Sequence, residues 1–300
     1  MKDAGLLLDK PVGITSNRAL QSAKRVFGSR KAGHAGTLDP LASGLLLVLF
    51  GEATKFASHL LEDDKEYLAT LKLGEKTTTG DAEGAVLETR QVAVGEPEVA
   101  AVLERFRGEI EQVPPMHSAL KRDGVPLYEL AREGKTVERA ARRVRILELE
   151  LCRFAAPLLE LRVRCTKGTY IRTLAEDIGA ALGTGAHLAA LRRTASGRFR
   201  VEDAVALEAL EALPAAARAR HLLALPQLLA GLPRAELDAG QEARFRNGQA
   251  VSGSAREGLC AVFGPEGAVI GLGQADPAGG LRPLRLLAAA QTADKHPKTL

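Results

Sequence analysis

The sequence predicts an α+β fold, with a mixed, largely antiparallel sheet, flanking helices and a small, mostly β module towards the C-terminus. Runs of strand composition are interspersed with separate helices and show no regular βα alternation. Residues 144–154 and 158–166 both alternate apolar and polar side chains, and the Ala156-Pro157 turn between them indicates a β-hairpin. Strand candidates at 259–263 and 268–272, separated by a Gly-Pro-Glu-Gly turn, indicate the second module.

The first part of the chain predicts a strand, a helix and a central strand. Residues 5–9 have the composition of a short buried strand that runs into a Lys-Pro-Val-Gly turn. Ser16 is expected to cap a helix that Gly28 ends. A glycine-rich loop follows, and residues 45–50 form a continuous apolar run between two glycines, which is typical of a central strand. Residues 66–73 alternate in polarity and predict another strand.

Two helical stretches and a domain boundary are predicted further along. From residue 171 to 182 the apolar residues recur at the helical period, and Arg172 lies off that apolar face, free to face a cleft. The alanine-rich residues 204–224 also predict helix, punctuated by Pro214. We expect one domain over residues 1–231 and a smaller one over 232–300, with a polar, loose tail from residue 292.

Basic residues are clustered although the formal net charge is only +4. Residues 18–31 carry five basic side chains and no acid, and residues 162–200 carry eight basic side chains against Glu176 and Asp177. Such clusters are typical of a surface that binds a polyanion. A solvated face has the same composition, so charge alone leaves both interpretations open.

The bulk properties exclude several protein classes. The 300-residue chain has no apolar run near the roughly 20 residues that span a bilayer, and its N-terminus does not resemble a signal peptide, so we expect a cytoplasmic location and no membrane partner. The three cysteines form no CxxC pair. They are expected to be small buried apolar residues and not disulfides or zinc ligands.

Asp39 lies in the glycine-rich loop, directly before Pro40. The proline favours an extended backbone at Asp39, and the glycines at 33, 36 and 44 allow a tight turn close to a ligand. A carboxylate held on such a loop can be catalytic. An Asp-Pro pair in a glycine-rich stretch is also ordinary turn chemistry, and without further motifs that is the stronger interpretation.

His34 precedes Asp39 in the same loop and is open to three roles: base, metal ligand or stacking group. The remaining histidines are scattered, so no second ligand lies at metal-binding spacing and no metal is expected. The sequence also contains no nucleophile-elbow motif, no Gly-x4-Gly-Lys-Ser/Thr phosphate loop and no GxGxxG ahead of a helix.

Five motifs give the chain a family resemblance. Residues 33–44, Gly-His-Ala-Gly-Thr-Leu-Asp-Pro-Leu-Ala-Ser-Gly, resemble the GHxGxLDPxAxG signature of TruB-type tRNA pseudouridine synthases. In chain order, residues 9–16 resemble the family's DKPxGxxS, residues 65–67 its tyrosine segment, residues 167–172 its KGTYIR and residues 191–199 its LRRTxxGxF. The resemblance covers about residues 5–230 well. It implies a catalytic domain of pseudouridine synthase type followed by a small PUA-like RNA-binding domain.

The resemblance implies catalytic roles for three residues. Asp39 would be the nucleophile of a covalent isomerisation that needs no cofactor, and attack at C1′ or at C6 of the uridine are both open. Arg172 would keep Asp39 ionised and hold it by two hydrogen bonds. Tyr67 would stack on the target base, with a general-base role as the second option.

The resemblance also implies contacts with RNA. His34 would fill the space left by a flipped uridine, and Leu191 would line the pocket. Basic residues at 18–31 and 192–200 would contact phosphates, and the basic stretch 124–145 is a candidate RNA-binding insertion. The resemblance also implies that the loop carrying Asp81 lies near the RNA, with the role of Asp81 left open. The substrate- or RNA-binding residues are thus expected to be His34, Lys10, Tyr170, Leu191, Arg192 and Arg193; Lys10 is expected to support its turn, with a direct RNA contact as the alternative.

The implied activity is isomerisation of uridine to pseudouridine in the T-arm of tRNA, at the site that the family numbers 55. Two alternatives remain open at this point: the same chemistry on a ribosomal or guide-RNA-directed target, and a tRNA chaperone in which catalysis is incidental. We expect a monomer that needs no protein partner, no metal and no cofactor.

Overall fold

The structure is a computed structural model that describes residues 3–118, 120–122, 124–252 and 256–288. The tail that the sequence predicts to be loose, from residue 292 onward, lies outside the described residues. Among the described residues, no helix is both long and apolar enough to cross a membrane.

The elements follow one another along the chain in two groups. Up to residue 228 they are β1 (Ala4–Lys10), α1 (Ser16–Val26), β2 (Ala32–Ala35), β3 (Ala42–Phe50), a 3-10 helix (Gly51–Phe56), α2 (Ala57–Leu61), β4 (Lys65–Leu73), β5 (Glu75–Thr77), β6 (Val86–Thr89), α3 (Glu96–Glu104), β7 (Gly108–Gln112), β8 (Lys121–Arg122), β9 (Val125–Pro126), α4 (Leu127–Arg132), β10 (Arg142–Ala155), β11 (Leu158–Cys165), α5 (Ile171–Ala181), β12 (Ala186–Ser196), β13 (Phe199–Arg200), a 3-10 helix (Val201–Asp203), β14 (Val205–Ala206), α6 (Leu207–Ala212), α7 (Ala215–Arg218), a 3-10 helix (Ala219–His221), β15 (Leu222–Ala224) and α8 (Leu225–Leu228). Beyond residue 228 they are β16 (Arg234–Glu236), α9 (Ala239–Arg246), β17 (Val251–Ser252), β18 (Gly258–Phe263), β19 (Val269–Ala275) and β20 (Gly280–Leu286).

One large mixed sheet organises the first group, in the order β14-β1-β3-β12-β4-β11-β10-β7. Most neighbours are antiparallel, but β12 pairs with β3 in parallel, as does β14 with β1. The predicted α+β class and the predicted hairpin of β10 and β11 are therefore confirmed. The parallel pairing of β12 with β3 matters for the site because it places Arg193 beside Gly44.

The central strand β3 is buried on both faces. Leu46, Val48 and Phe50 pack against α1 and α6, whereas Leu45, Leu47 and Leu49 point to the opposite face and join a second cluster. A strand covered on both faces must be apolar at every position, which explains its uninterrupted hydrophobic run. A third cluster holds α3 and α5 against β4, β10 and β11.

The C-terminal elements form a separate sheet in the order β16-β18-β19-β20-β17. This sheet has a core of its own around Phe245, Val262 and Ile270. Its outer face contributes Ala261 and Phe263 to the cluster that also contains Leu47 of β3. The boundary between residues 231 and 232 stays a prediction.

Two predictions about local structure were wrong. The cap of α1 is Thr15, whose side chain accepts from the Arg18 amide, and Ser16 is the first helical residue. Residues 204–224 form two short helices, α6 and α7, with β14 before them and a 3-10 helix and β15 after them. The helix breaks at Leu213, which is extended because it precedes Pro214, and such a residue is sterically disfavoured in the helical region.

The cysteines only partly match their predicted burial. Cys165 and Cys260 are buried and free, but Cys152 is exposed. Cys152 lies at a register shift between Leu151 and Arg153 of β10, so the simple alternation of inward and outward side chains is interrupted there.

Candidate active site

Asp39 lies on the loop between β2 and β3, and two backbone fastenings hold that loop. The Ser16 hydroxyl donates to the Leu38 carbonyl at 2.9 Å and accepts from the Leu38 amide at 2.7 Å, all in a buried position. The Gly13 amide donates to the Pro40 carbonyl at 2.8 Å. The turn after β1 and the start of α1 thus clamp the chain on both sides of Asp39.

Arg172 supplies the cation beside Asp39. It lies in the first turn of α5, and its Nε is 3.0 Å from Oδ2 of Asp39, as the sequence predicted for this pair. The Arg172 side chain is only 6% exposed. Its Nη1 donates to the Thr79 carbonyl at 3.2 Å and its Nη2 to the His117 carbonyl at 2.6 Å. The prediction that Arg172 holds Asp39 by two hydrogen bonds is therefore wrong. Both Nη groups donate to backbone carbonyls, and only Nε contacts Asp39.

A second carboxylate, Asp81, shares this arginine. Its Oδ2 lies 3.6 Å from Arg172 Nε, and the Asp81 side chain is almost fully buried. Its Oδ1 accepts from the Thr79 hydroxyl and from the Glu83 amide. The loop that carries Asp81 is fastened to β12, where the Ala82 amide donates to the Leu188 carbonyl at 3.0 Å.

Tyr67 and Arg193 face each other across the β4–β12 ladder, close to the Asp39 loop. They are register partners, and the Arg193 guanidinium interacts with the Tyr67 hydroxyl. Burial raises the pKa of the Tyr67 phenol, and Arg193 opposes that rise. A protonated phenol is suited to stacking, whereas action as a base requires the phenolate.

Burial and Arg172 act against each other on the charge of Asp39. Burial raises the pKa of the Asp39 carboxyl, the nearby Arg172 lowers it, and the charge on Asp81 raises it. Lys10 is fully buried beneath the loop, and burial lowers its pKa to about 8. Desolvation of Asp39 makes its carboxylate a stronger nucleophile when ionised, and Arg172 favours the ionised form.

His34 lies on β2, opposite Val48 of β3. Burial lowers the pKa of the imidazole, with a smaller contribution from Arg193, so the neutral ring is favoured. Its Nδ1 is buried and has no hydrogen-bond partner among the described residues. No group of three or more metal-binding side chains occurs in the parts of the chain that the structure describes.

The other predicted RNA-binding residues differ widely in exposure. Lys10 donates to the Pro11 and Ile14 carbonyls at 2.8 and 2.7 Å, which matches the expected support of its turn and argues against a direct contact with RNA. Arg192 is partly exposed and forms a two-point ion pair with Asp9. Arg193 is 1% exposed, which argues against the expected phosphate contact.

Tyr170 and Leu191 are both half-buried. The backbone of Tyr170 is fixed by Gln112, whose side chain accepts from the Tyr170 amide at 3.0 Å. Leu191 pairs with Ala42 at the start of β3 and, like Tyr67, packs against the cluster that α5 forms with β4. Leu191 thus lies beside the end of the Asp39 loop, and Tyr170 lies at the start of the helix that carries Arg172.

Comparison with known families decides the ancestry of this chain. Residues 24–171 match the N-terminal domain of the TruB family of pseudouridylate synthases, residues 172–232 match the tRNA pseudouridylate synthase B C-terminal domain, and residues 233–287 match the C-terminal domain of pseudouridine synthase II TruB. The chain is 52% identical over 294 residues to tRNA pseudouridine synthase B of Aromatoleum aromaticum, covering 98% of this chain and 95% of that protein. The chain belongs to the TruB family.

Other comparisons agree with this assignment. The protein of the same name from Burkholderia mallei is 54% identical over 293 residues, covering 95% of this chain and 97% of that protein. Among solved structures, a Cbf5-Nop10-Gar1 complex contains a chain that superimposes with a TM-score of 0.72 at 29% identity, covering 91% of this chain and 78% of that one. The archaeal box H/ACA Nop10-Cbf5 complex gives 0.70 at 28% identity, with the same coverage. The TruB resemblance drawn from the motifs is therefore confirmed.

Sequence reasoning missed three features of this TruB site. The sequence predicts Ser16 as a helix cap, but its side chain holds Leu38 of the Asp39 loop. Its place at the end of the DKPVGITS motif was the signal for a role beyond capping, because an ordinary helix start needs no such motif. The carbonyls of Thr79 and His117, which hold Arg172, carry no sequence signal because any residue supplies a carbonyl. Asp81 was placed near the RNA, but its pairing with Arg172 was not predicted.

Proposed function

We propose that this TruB-family protein isomerises uridine to pseudouridine in the T-arm of tRNA, at the position that the family numbers 55, through covalent catalysis by Asp39. The contact of 3.0 Å between Asp39 Oδ2 and Arg172 Nε carries this proposal. It gives a partly exposed carboxylate the fixed cation that it needs to act as a nucleophile. The curated relatives named tRNA pseudouridine synthase B support tRNA as the substrate.

Isomerisation of uridine to pseudouridine requires one nucleophile and a path for one proton. The N1–C1′ bond breaks, the base turns, and a C5–C1′ bond forms while C5 loses a proton and N1 gains one. The reaction involves no net oxidation or reduction, so the residues of the cleft are sufficient without a cofactor. Asp39 would form the covalent bond, and Arg172 would hold its carboxylate in place while the base is detached.

Tyr67 would contact the flipped base, and His34 would occupy the place that this base leaves. The pKa of the phenol is raised by burial, which supports a stacking role for Tyr67 over proton abstraction. The neutral imidazole of His34, with an unpartnered buried Nδ1, is suited to hydrogen-bonding a base in the place that the flipped uridine vacates. Flipping costs a few kcal/mol of unstacking, which such contacts would offset.

The RNA would lie across the cleft and be bound mainly through its phosphates. Residues 18–31 and 192–200 supply exposed cations on the surrounding surface, including Arg18, Arg198 and Arg200. The basic stretch at 124–145, which contains α4 and the start of β10, would extend this surface. Phosphate contacts give salt-dependent binding that does not depend on catalysis. We propose that the protein does this as a monomer.

A transcript panel tests the substrate. Wild-type protein is incubated with an unmodified tRNA transcript, the isolated T-arm hairpin, an anticodon hairpin and the tRNA carrying cytidine at position 55, and pseudouridine is mapped by nucleotide. We expect modification at position 55 of the tRNA and of the T-arm hairpin, and none in the other two RNAs. Absence of pseudouridine from the intact tRNA would refute the proposal.

The relatives favour tRNA over a guide-directed target. The two relatives named tRNA pseudouridine synthase B that are described above align over 95% or more of both chains, whereas this chain covers 78% of the chain from the Cbf5-Nop10-Gar1 complex. A guide-dependent enzyme would modify the bare transcript only after a guide RNA was added, so the same panel separates the two interpretations.

A further inference from the structure

Arg193 is a fully buried cation at the centre of the site, although it lies in the basic stretch from which RNA contacts were expected. Its side chain is among the largest in the described part of the protein that are completely enclosed. The Nε donates to the Leu45 carbonyl at 2.7 Å, and Nη2 donates to the Gly36 carbonyl at 3.1 Å. These two carbonyls lie on either side of Asp39 in the chain, so one guanidinium holds both ends of the loop together.

Arg193 also lies opposite Tyr67 in the β4–β12 ladder, where its guanidinium interacts with the Tyr67 hydroxyl. We propose that Arg193 is a positioning residue that sets the distance between Asp39 and Tyr67, and that it does not bind an RNA phosphate. The inference deepens the proposed function, on which it rests. Tyr67 and Asp39 must act on the same uridine, one by stacking and the other by nucleophilic attack. Arg193 would fix the distance between them that both actions require.

The glycines of the signature are built around Arg193. Gly36 has a φ of +96°, and a Cβ there would lie 3.2 Å from Nη1 of Arg193. Gly44 has a φ of +100°, and a Cβ there would lie 2.3 Å from the Arg193 carbonyl oxygen. Backbone in this conformation favours glycine, and the close approach excludes any side chain at Gly44. The loop therefore encloses the arginine, which is the arrangement expected of a fixed support.

A lysine cannot reproduce this support. The planar guanidinium presents several donors at fixed angles and can serve two carbonyls and a hydroxyl at once, whereas an ammonium is a point charge on a flexible stem. Arg193→Lys therefore keeps the positive charge but cannot make all of the contacts to the Leu45 and Gly36 carbonyls and the Tyr67 hydroxyl at once. A phosphate contact, by contrast, tolerates lysine well, because counterion release depends on charge.

The test measures rate and binding separately. Single-turnover pseudouridine formation on tRNA is followed at saturating protein, and the dissociation constant is measured at several salt concentrations, for wild type, Arg193→Lys, Tyr67→Phe and the double variant. For Arg193→Lys we expect the rate to fall at least tenfold while the dissociation constant stays within twofold and the salt slope is unchanged. Binding at the wild-type level shows that the variant is folded.

Arg218→Lys is the matched control, because Arg218 also donates to three backbone carbonyls, those of Val26, Glu211 and Leu213, but lies away from the cleft. Its rate should equal that of wild type. The proposal also predicts that Arg193→Lys costs less in the Tyr67→Phe background than in wild type. It is overturned if Arg193→Lys reacts at the wild-type rate, if it weakens binding and flattens the salt slope, or if its effect is identical in both backgrounds. An inactive wild type would instead refute the proposed function.

Discussion

The guanidinium of Arg172 meets the carboxylate of Asp39 through Nε, at 3.0 Å, and Nε also lies 3.6 Å from Asp81. One buried cation thus serves two carboxylates of different exposure, since the Asp39 side chain is 41% exposed and that of Asp81 4%. The partly exposed Asp39 can reach a substrate, whereas the buried Asp81 stays in place and completes the neutralisation of the arginine. Stability should therefore depend on the Arg172–Asp81 pair, and reactivity on Asp39.

Removal of the Arg172 charge should destabilise the fold. Arg172→Met would leave the buried Asp81 without its cation, and an uncompensated buried charge costs about 3–5 kcal/mol. We expect a loss of that size in the free energy of unfolding, measured by urea denaturation. Arg164→Met is the control, because Arg164 pairs with Glu148 on the exposed face of the sheet, and its loss should cost about 1 kcal/mol or less. Equal stability of Arg172→Met and wild type would show that Asp81 does not need this cation.

The acidic limb of the pH–rate profile should depend on Asp81. The ionised form of Asp39 is the reactive one, so the single-turnover rate rises with pH through the pKa of Asp39, which burial raises. The charge on Asp81 also raises that pKa, so Asp81→Asn lowers it and moves the limb to lower pH. Glu236→Gln, in the C-terminal sheet, should leave the limb in place. A shift to higher pH for Asp81→Asn would show that the sign is wrong.

Neighbouring hydroxyls at the start of α1 should separate stability from activity. Ser16→Ala leaves the buried amide and carbonyl of Leu38 without their partner, which costs about 1–3 kcal/mol and loosens the Asp39 loop. Thr15→Ala removes the helix cap, which costs a comparable amount, about 0.5–2 kcal/mol. We expect a rate at least tenfold lower for Ser16→Ala and a wild-type rate for Thr15→Ala. Similar rates for the two variants would show that Ser16 does not position the Asp39 loop for catalysis.

The sequence predicted elements with strong periodicity and residues that belong to long motifs. The apolar run of β3 and the amphipathic α5 were found because burial on two faces, or on one helical face, determines their composition. Asp39 and Arg172 were paired through their motifs, and the structure brings them together. Distances of this kind are not encoded locally, since the two residues lie on different elements.

The errors have physical causes. Thr15 and Ser16 are both good caps by type, and only the approach of Leu38 decides which hydroxyl serves the helix and which serves the loop. Arg193 was grouped with the exposed cations of the same stretch because charge does not reveal burial. Its enclosure depends on the parallel pairing of β12 with β3, a long-range contact that composition does not specify.

The role of Asp39 is tested most directly by the rate of pseudouridine formation by Asp39→Asn on tRNA. The amide is close to isosteric with the carboxylate but is a poor nucleophile, so the single-turnover rate should fall by more than about a thousandfold, as for other enzymes that lose a covalent nucleophile. The dissociation constant for tRNA should change little, because phosphate contacts dominate affinity. A variant that binds tRNA and forms pseudouridine at the wild-type rate would contradict the assignment of Asp39 as the nucleophile.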